Sequence, residues 1–441
     1  MHFKGLLQKD GWHGGADVTT DDSGIIVSIA EADADGGDFV LPGFRNAHSH
    51  AFQYAMAGVA ENHSNPNDDF WSWREAMYKL ALEIDPDQLE ATAAMLYSEM
   101  IRHGYTHVAE FQYLHHDKDG TPYSNPAEMA SRLIAAASKT GINITVVPVF
   151  YKTGGFGKPA TEEQRRFVFD NTEDYLRLVE ATARECGNYE YANFGIGIHS
   201  LRAASADEIV AISKEGPGDV PLHIHVAEQL REVEDCVAFY GKRPVEWLLD
   251  NAALDERWNL VHATYLLEHE LTGITDSGAN VVLCPTTECN LGDGIFSLKH
   301  FRAHGGSWSI GSDSNVSLNP FEEIRLLDYG QRLTSRSRNT FGETGSRYAI
   351  ESVFDAGGRA TGVSGDNFFE VGKPFNGCVV GSDHPLVSET SMSNRLNTIV
   401  YCSDPTLQRG SIVNGRASVA GELNNEIGDR FAKVLRELGN R

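Results

Sequence analysis

The sequence predicts an α/β fold: a (β/α)8 TIM-like barrel with a small β-sandwich domain built from both chain termini. Three observations lead there. From Pro42 to about residue 360, short apolar runs alternate with longer helical patterns, as expected of repeated β-α units around a parallel sheet. Eight of those runs read as strands, at 43–48, 106–111, 142–149, 194–199, 221–226, 259–263, 279–284 and 308–311. The chemically capable side chains His48, His50, Glu110, His199, His225, His262 and Asp313 fall at the ends of these runs. The C-terminal strand ends are where a barrel gathers its catalytic groups. A doubly wound open sheet would instead call for a Gly-rich phosphate loop after an early strand, and the sequence has none there.

Taken in order, residues 1–42 hold short β-like stretches (Ile25 to Ile29, Phe39 to Leu41) among many Asp and Gly residues, the N-terminal part of the small β domain. Residues 43–364 form the expected metal-dependent barrel. Residues 365–441 return to short strand-like pieces at 368–371, 378–380, 398–401 and 411–413, which complete the β domain. A terminal helix over 427–438 then carries Phe431, Val434, Leu435 and Leu438 on one side.

Composition bounds the function. In 441 residues, 41% are hydrophobic and 22% charged, ordinary for a globular protein, and no run approaches the roughly 18 apolar residues of a membrane span. A formal net charge of −25 repels nucleic acid and anionic membrane. It also means that an anionic substrate needs a locally basic pocket. The N-terminal stretch lacks the apolar core and cleavage site of a secretory signal, so the expected location is the cytoplasm. The six cysteines form no Cys-x-x-Cys pair and read as reduced thiols.

The sharpest motif is Asn46-Ala-His48-Ser-His50 at the end of the first strand, where alternation points both imidazoles the same way. Imidazole is a common zinc ligand, and a catalytic zinc site leaves room for water beside its protein ligands. Alone, such a pair also occurs in loops; His225, His262 and Asp313 at later strand ends supply the context. Glu228, three residues past His225, can project into the same mouth and shuttle protons. Glu232 and Glu234 read as solvated first-turn residues stabilised by a helix N-terminus. His223 shares the inward face of His225 without a partner motif, which suits core packing.

His from strand one, His from strands five and six, and Asp from strand eight together resemble the amidohydrolase superfamily. That resemblance implies that His48, His50, His225 and Asp313 hold the metal. Binuclear members place a bridging Lys at the end of strand four, where this chain has His199, so one divalent ion is implied, with zinc the expected metal. This leaves His262 for acid-base or electrophilic work.

A closer resemblance, from about residue 40 to 335, is to the formimidoylglutamate deiminases. It rests on His48-Ser-His-Ala-Phe-Gln53, Met56-Ala-Gly58, Phe70-Trp-Ser-Trp-Arg74, Val108-Ala-Glu-Phe-Gln-Tyr113-Leu-His-His-Asp117, His199-Ser-Leu-Arg202 and the run from Cys284 to Gly294. It implies hydrolysis of N-formimino-L-glutamate to N-formyl-L-glutamate and ammonia in histidine breakdown, by attack of metal-bound hydroxide on the formimino carbon. It also implies one zinc ion and a homodimer. The catalytic set would be Glu228, His262 and Asp313, and the substrate-holding set Gln53, Arg74, Tyr113, His199 and Arg202. The residues agree on one point: a dicarboxylate in so acidic a chain needs local cations, and Arg74 and Arg202 can make planar, bidentate contacts. Asn315 and Tyr54 depart from the family pattern, which has His and Arg there. Two other readings stand beside this one: a relative acting on another formimino or guanidino acid or a nucleobase, and a barrel scaffold without turnover.

Overall fold

The structure, a computed structural model, describes residues 1–59, 61, 70–363, 368–419 and 424–439. The side chains of residues 70–72, which belong to one of the motifs quoted above, and the boundary expected at 364/365 lie outside the described residues.

A parallel sheet forms the barrel. Its strands run Phe44–Ser49, Tyr105–Gln112, Asn143–Phe150, a fourth position split into Ala192–Phe194 and Ile196–Ile198, then Leu222–Val226, Trp258–His262, Asn280–Leu283 and Ser307–Ile310. Parallel strands flanked by helices are covered on both faces, which is why runs such as Leu222–Val226 are buried at every position. The connecting helices carry their own start signals. Asp85 and Gln88 form a reciprocal cap on Pro86–Arg102, and Ser205 and Glu208 do the same for Ala206–Glu215.

The seam between the first and eighth strands closes the barrel and positions the site. Ser312 and Asp313 donate their backbone N–H groups to His48 O at 3.0 and 2.9 Å, and His50 N–H donates to Asp313 O at 3.0 Å. A side chain at Gly311 would put its Cβ 2.8 Å from the Cβ of His48, so the approach of the two strands requires glycine there.

Strands from both termini join in one seven-stranded sheet. From edge to edge these are Arg416–Val419, Gln408–Val413, Gly377–Val380, Asp38–Pro42, His2–Gln8, Gly11–Thr20 and Ile26–Glu31. Asp38–Pro42 runs through Gly43 directly into the first barrel strand. The terminal helix is Asn425–Glu437, and Phe431 stacks on Tyr54 at 5.5 Å, which gives the Tyr54 departure a packing role.

Two expectations from the C-terminal segment are corrected. Residues 398–401 lie inside the helix Met392–Cys402, with Ile399 and Val400 buried beside Leu396 at helical spacing. Residues 368–371 form no strand; Phe368 packs on Phe354 and Phe369 on Phe375. The six cysteines are free, and four of them, Cys186, Cys236, Cys284 and Cys378, are buried. No helix among the described residues is long and apolar enough to cross a membrane.

Candidate active site

The first, fifth and eighth strand ends bring His48, His50, His225 and Asp313 together, with one ligand atom from each lying within 4.8 Å of the others. His48 Nε2 is 3.2 Å from His50 Nε2 and 3.0 Å from His225 Nε2. Asp313 Oδ1 lies 3.3 Å from His48 Nε2 and 3.0 Å from His50 Nε2. The far side of two rings is fixed by backbone carbonyls: His50 Nδ1 faces Phe111 O at 2.9 Å and His225 Nδ1 faces His199 O at 3.1 Å. With those N–H groups donating outward, the Nε2 lone pairs point at one another. Burial holds the His48 and His225 rings neutral, with His48 down at about 3 and His225 well below the usual imidazole range. Facing lone pairs and a carboxylate repel unless a cation lies among them, so this donor set fits a divalent ion.

Strain gathers at the same rim. Ala227, His262, Ala263, Asp313 and Asn315 all have positive φ without being glycine, at 51°, 71°, 49°, 48° and 64°. Such conformations persist where surrounding contacts over-determine them. Asn315 supplies some of those contacts: its Nδ2 donates to His50 O at 3.2 Å, and its Oδ1 accepts from Ser312 Oγ at 2.6 Å. That bracing accounts for the second departure from the family pattern.

The amidohydrolase family model matches residues 39–344. The chain belongs to the amidohydrolase family. This amidohydrolase is 42% identical, over 98% of each chain, to formimidoylglutamate deiminase of Pseudomonas aeruginosa. It superposes on the crystal structure of an amidohydrolase from Brucella melitensis with a TM-score of 0.89 at 39% identity, covering 99% of both chains. An adenosine deaminase from Xanthomonas campestris, solved with bound zinc, shares the fold at a TM-score of 0.81 and 18% identity, covering 99% of this chain and 97% of its own.

Above the donor cluster, the amidohydrolase has a pocket lined by every sequence-predicted site residue except His48, which lies beneath it. Its polar and charged lining suits a small polar ligand. Gln53 Nε2 donates to Tyr113 Oη at 2.8 Å. His199, from the fourth strand end, has its Nδ1 3.0 Å from Ser200 Oγ, and burial beside Arg202 keeps its ring neutral. Arg74 sits on the helix Phe70–Glu83 with its guanidinium 5.5 Å over the Tyr78 ring. Arg202 Nη2 contacts Glu228 Oε2 at 3.2 Å.

His262 is placed between carboxylates. Its Nδ1 is 3.2 Å from Glu288 Oε1, and its Nε2 is 3.8 Å from Glu228 Oε1 and 3.9 Å from Asp313 Oδ2. Burial alone would keep the ring neutral; Glu228, Glu288 and Asp313 outweigh it and push the ring up to about 10.

Sequence reasoning missed several contributors. Glu232 is 1% exposed, not solvated, and accepts the backbone N–H groups of Ala227 and Glu228 at 3.2 and 3.1 Å. Glu288 holds His262 and also accepts from Cys284 N–H at 2.9 Å. Asp293 is buried and takes a hydrogen bond from Gln229 Nε2, next to Glu228 in the chain. Glu288 and Asp293 lie in the quoted Cys284-to-Gly294 run, so their signal was present without a role attached. His223 is a core residue, with Nε2 2.9 Å from Ala360 O.

Proposed function

We propose that this amidohydrolase deiminates N-formimino-L-glutamate to N-formyl-L-glutamate and ammonia. The observation that carries the reading is the pair Arg74 and Arg202 on the wall of a cavity whose floor is the His48, His50, His225, Asp313 cluster. A dicarboxylate with a reactive amidine at one end matches cations on the wall and donors below. The likeness to formimidoylglutamate deiminase over nearly the whole chain supports the same substrate.

A divalent ion held by the cluster, zinc being the expected metal, would supply the Lewis acidity that makes water nucleophilic near neutral pH. The chain's own groups divide the remaining work. Arg74, Arg202, Tyr113 and Gln53 fix the carboxylates and leave the formimino group over the floor. Asp313 turns Oδ1 to the histidines and Oδ2 toward His262, so Oδ2 accepts the proton released by the attacking water. His262, held by Glu288 and surrounded by carboxylates, donates from Nε2 to the oxygen adding to carbon. Glu228 pairs with the amidinium, accepts a proton as the tetrahedral carbon forms, and returns it to the departing nitrogen so that ammonia leaves neutral. The same reading carries the expected setting, histidine breakdown in the cytoplasm by a homodimer.

The test is product identity. Zinc-loaded protein given N-formimino-L-glutamate should release ammonia and N-formyl-L-glutamate. Formamide with glutamate would mean that the other carbon–nitrogen bond is cut, and absence of any product would favour a scaffold.

A further inference from the structure

Arg202 and Glu228 are each assigned a job toward the substrate, yet they face each other at 3.2 Å. Arg202 also lies 3.8 Å from Glu232 through Nε, so one guanidinium serves two buried carboxylates. The three groups differ in freedom. Glu232 is locked, because its two oxygens accept the N–H groups of Ala227 and Glu228. Those hydrogen bonds also fix the main chain of Glu228, next to the positive φ of Ala227, so Glu228 can change partner only by rotating its side chain. Its other oxygen already lies 3.8 Å from His262 Nε2, over the reacting end of the cavity.

We propose that Arg202 is a substrate-gated clamp on Glu228, with Glu232 as the positioning residue that keeps Arg202 in place when Glu228 leaves. The inference rests on the dicarboxylate reading above. In N-formimino-L-glutamate a single carbon separates the α-carboxylate from the formimino nitrogen, so the substrate presents an anion and an amidinium cation side by side. These are the complements of Arg202 and Glu228. Binding exchanges one internal ion pair for two pairs with the substrate, and burial makes either state costly unless every charge has a partner. A ligand that brings the cation without the carboxylate leaves Glu228 tied to Arg202, which makes the clamp a specificity device as well as a trigger.

Formamidine, the bare amidine, tests this on the wild-type holoenzyme. Glutarate should activate ammonia release from formamidine by roughly tenfold or more, the range expected for a hydrogen bond to a charged group. In Arg202→Gln the same glutarate should have no effect. Glutarate that leaves wild-type formamidine turnover unchanged, or inhibits it, overturns the clamp, as does activation that persists in Arg202→Gln. The wild-type arm is decisive even if the variant folds poorly. Failure to turn over N-formimino-L-glutamate would count instead against the substrate assignment, so the two failures are separable.

Discussion

His223 and His225 stand two residues apart on one strand, point to the same inward face, and lead different lives. His225 lies at the C-terminal mouth of the barrel with its Nε2 aimed at two other imidazoles. His223 lies one layer down, where Nε2 is satisfied by Ala360 O. Two other sites in the lower interior follow the second pattern. His107 Nε2 pairs with Thr145 Oγ1 at 2.8 Å, and Asn280 Nδ2 with Asn259 Oδ1 and Ser309 Oγ at 3.0 and 2.9 Å. At these lower sites polar groups pair off; at the mouth, imidazole nitrogens and a carboxylate converge on one point. Depth along the strand, not residue type, separates structural histidines from chemical ones.

The largest contrast should come from removing one histidine of each kind. His225→Ala is expected to lose bound metal and to lower deimination by more than the roughly 100-fold that marks loss of an outer-shell partner. His223→Gln should keep both metal and activity and cost about 1–3 kcal/mol of stability, read by denaturant unfolding. Next come the groups above the donor cluster. Glu228→Gln should lose about 10²–10⁴-fold in kcat at unchanged metal content, the range for removing a proton-transfer group. Arg74→Ala should act mainly on KM, lowering kcat/KM roughly tenfold to a hundredfold, as for a charge-assisted hydrogen bond.

The gentlest contrast is in pH. In the lower interior, burial depresses His107 from 6.5 to about 3, so the folded state favours the neutral ring. Its contribution is complete above 6.5 and is lost as pH falls toward about 3. At the mouth, carboxylates raise His262 from 6.5 to about 10 against burial. Its contribution in chelated protein is complete below 6.5 and is lost as pH rises through about 10. Unfolding free energies across pH should therefore lose their acid-side slope in part in His107→Gln and their alkaline-side slope in part in His262→Gln. Identical profiles for both variants would erase the distinction between the layers.

Much of this was legible in the sequence, because a barrel strand ends at a definite point and its last inward residue has only the mouth to face. That rule put His48, His50, His225, His262 and Asp313 at the mouth, but it also brought in Glu110, which is spent on Ala51 N–H and Tyr97 Oη, and the ligand set came from the family resemblance. Glu232 could not: its spacing from Glu228 is that of an ordinary first helical turn, and only the path of the chain after Ala227 turns its carboxylate back into the protein. Glu288 and Asp293 reach the site through the helix Pro285–Leu291 and the turn after it, whose direction depends on packing. The run at 398–401, Thr-Ile-Val-Tyr, is rich in strand formers, yet it became helical because Leu396, Ile399 and Val400 pack inward at helical spacing; tertiary contacts outweighed local preference.

Elemental analysis of divalent metal per chain in wild type, His225→Ala and His223→Gln, with ammonia release measured on the same samples, is the most direct check. One ion and activity in wild type and His223→Gln, with neither in His225→Ala, are expected. Two ions per wild-type chain, or loss of the ion in His223→Gln, would contradict a single metal centre confined to the mouth of the barrel.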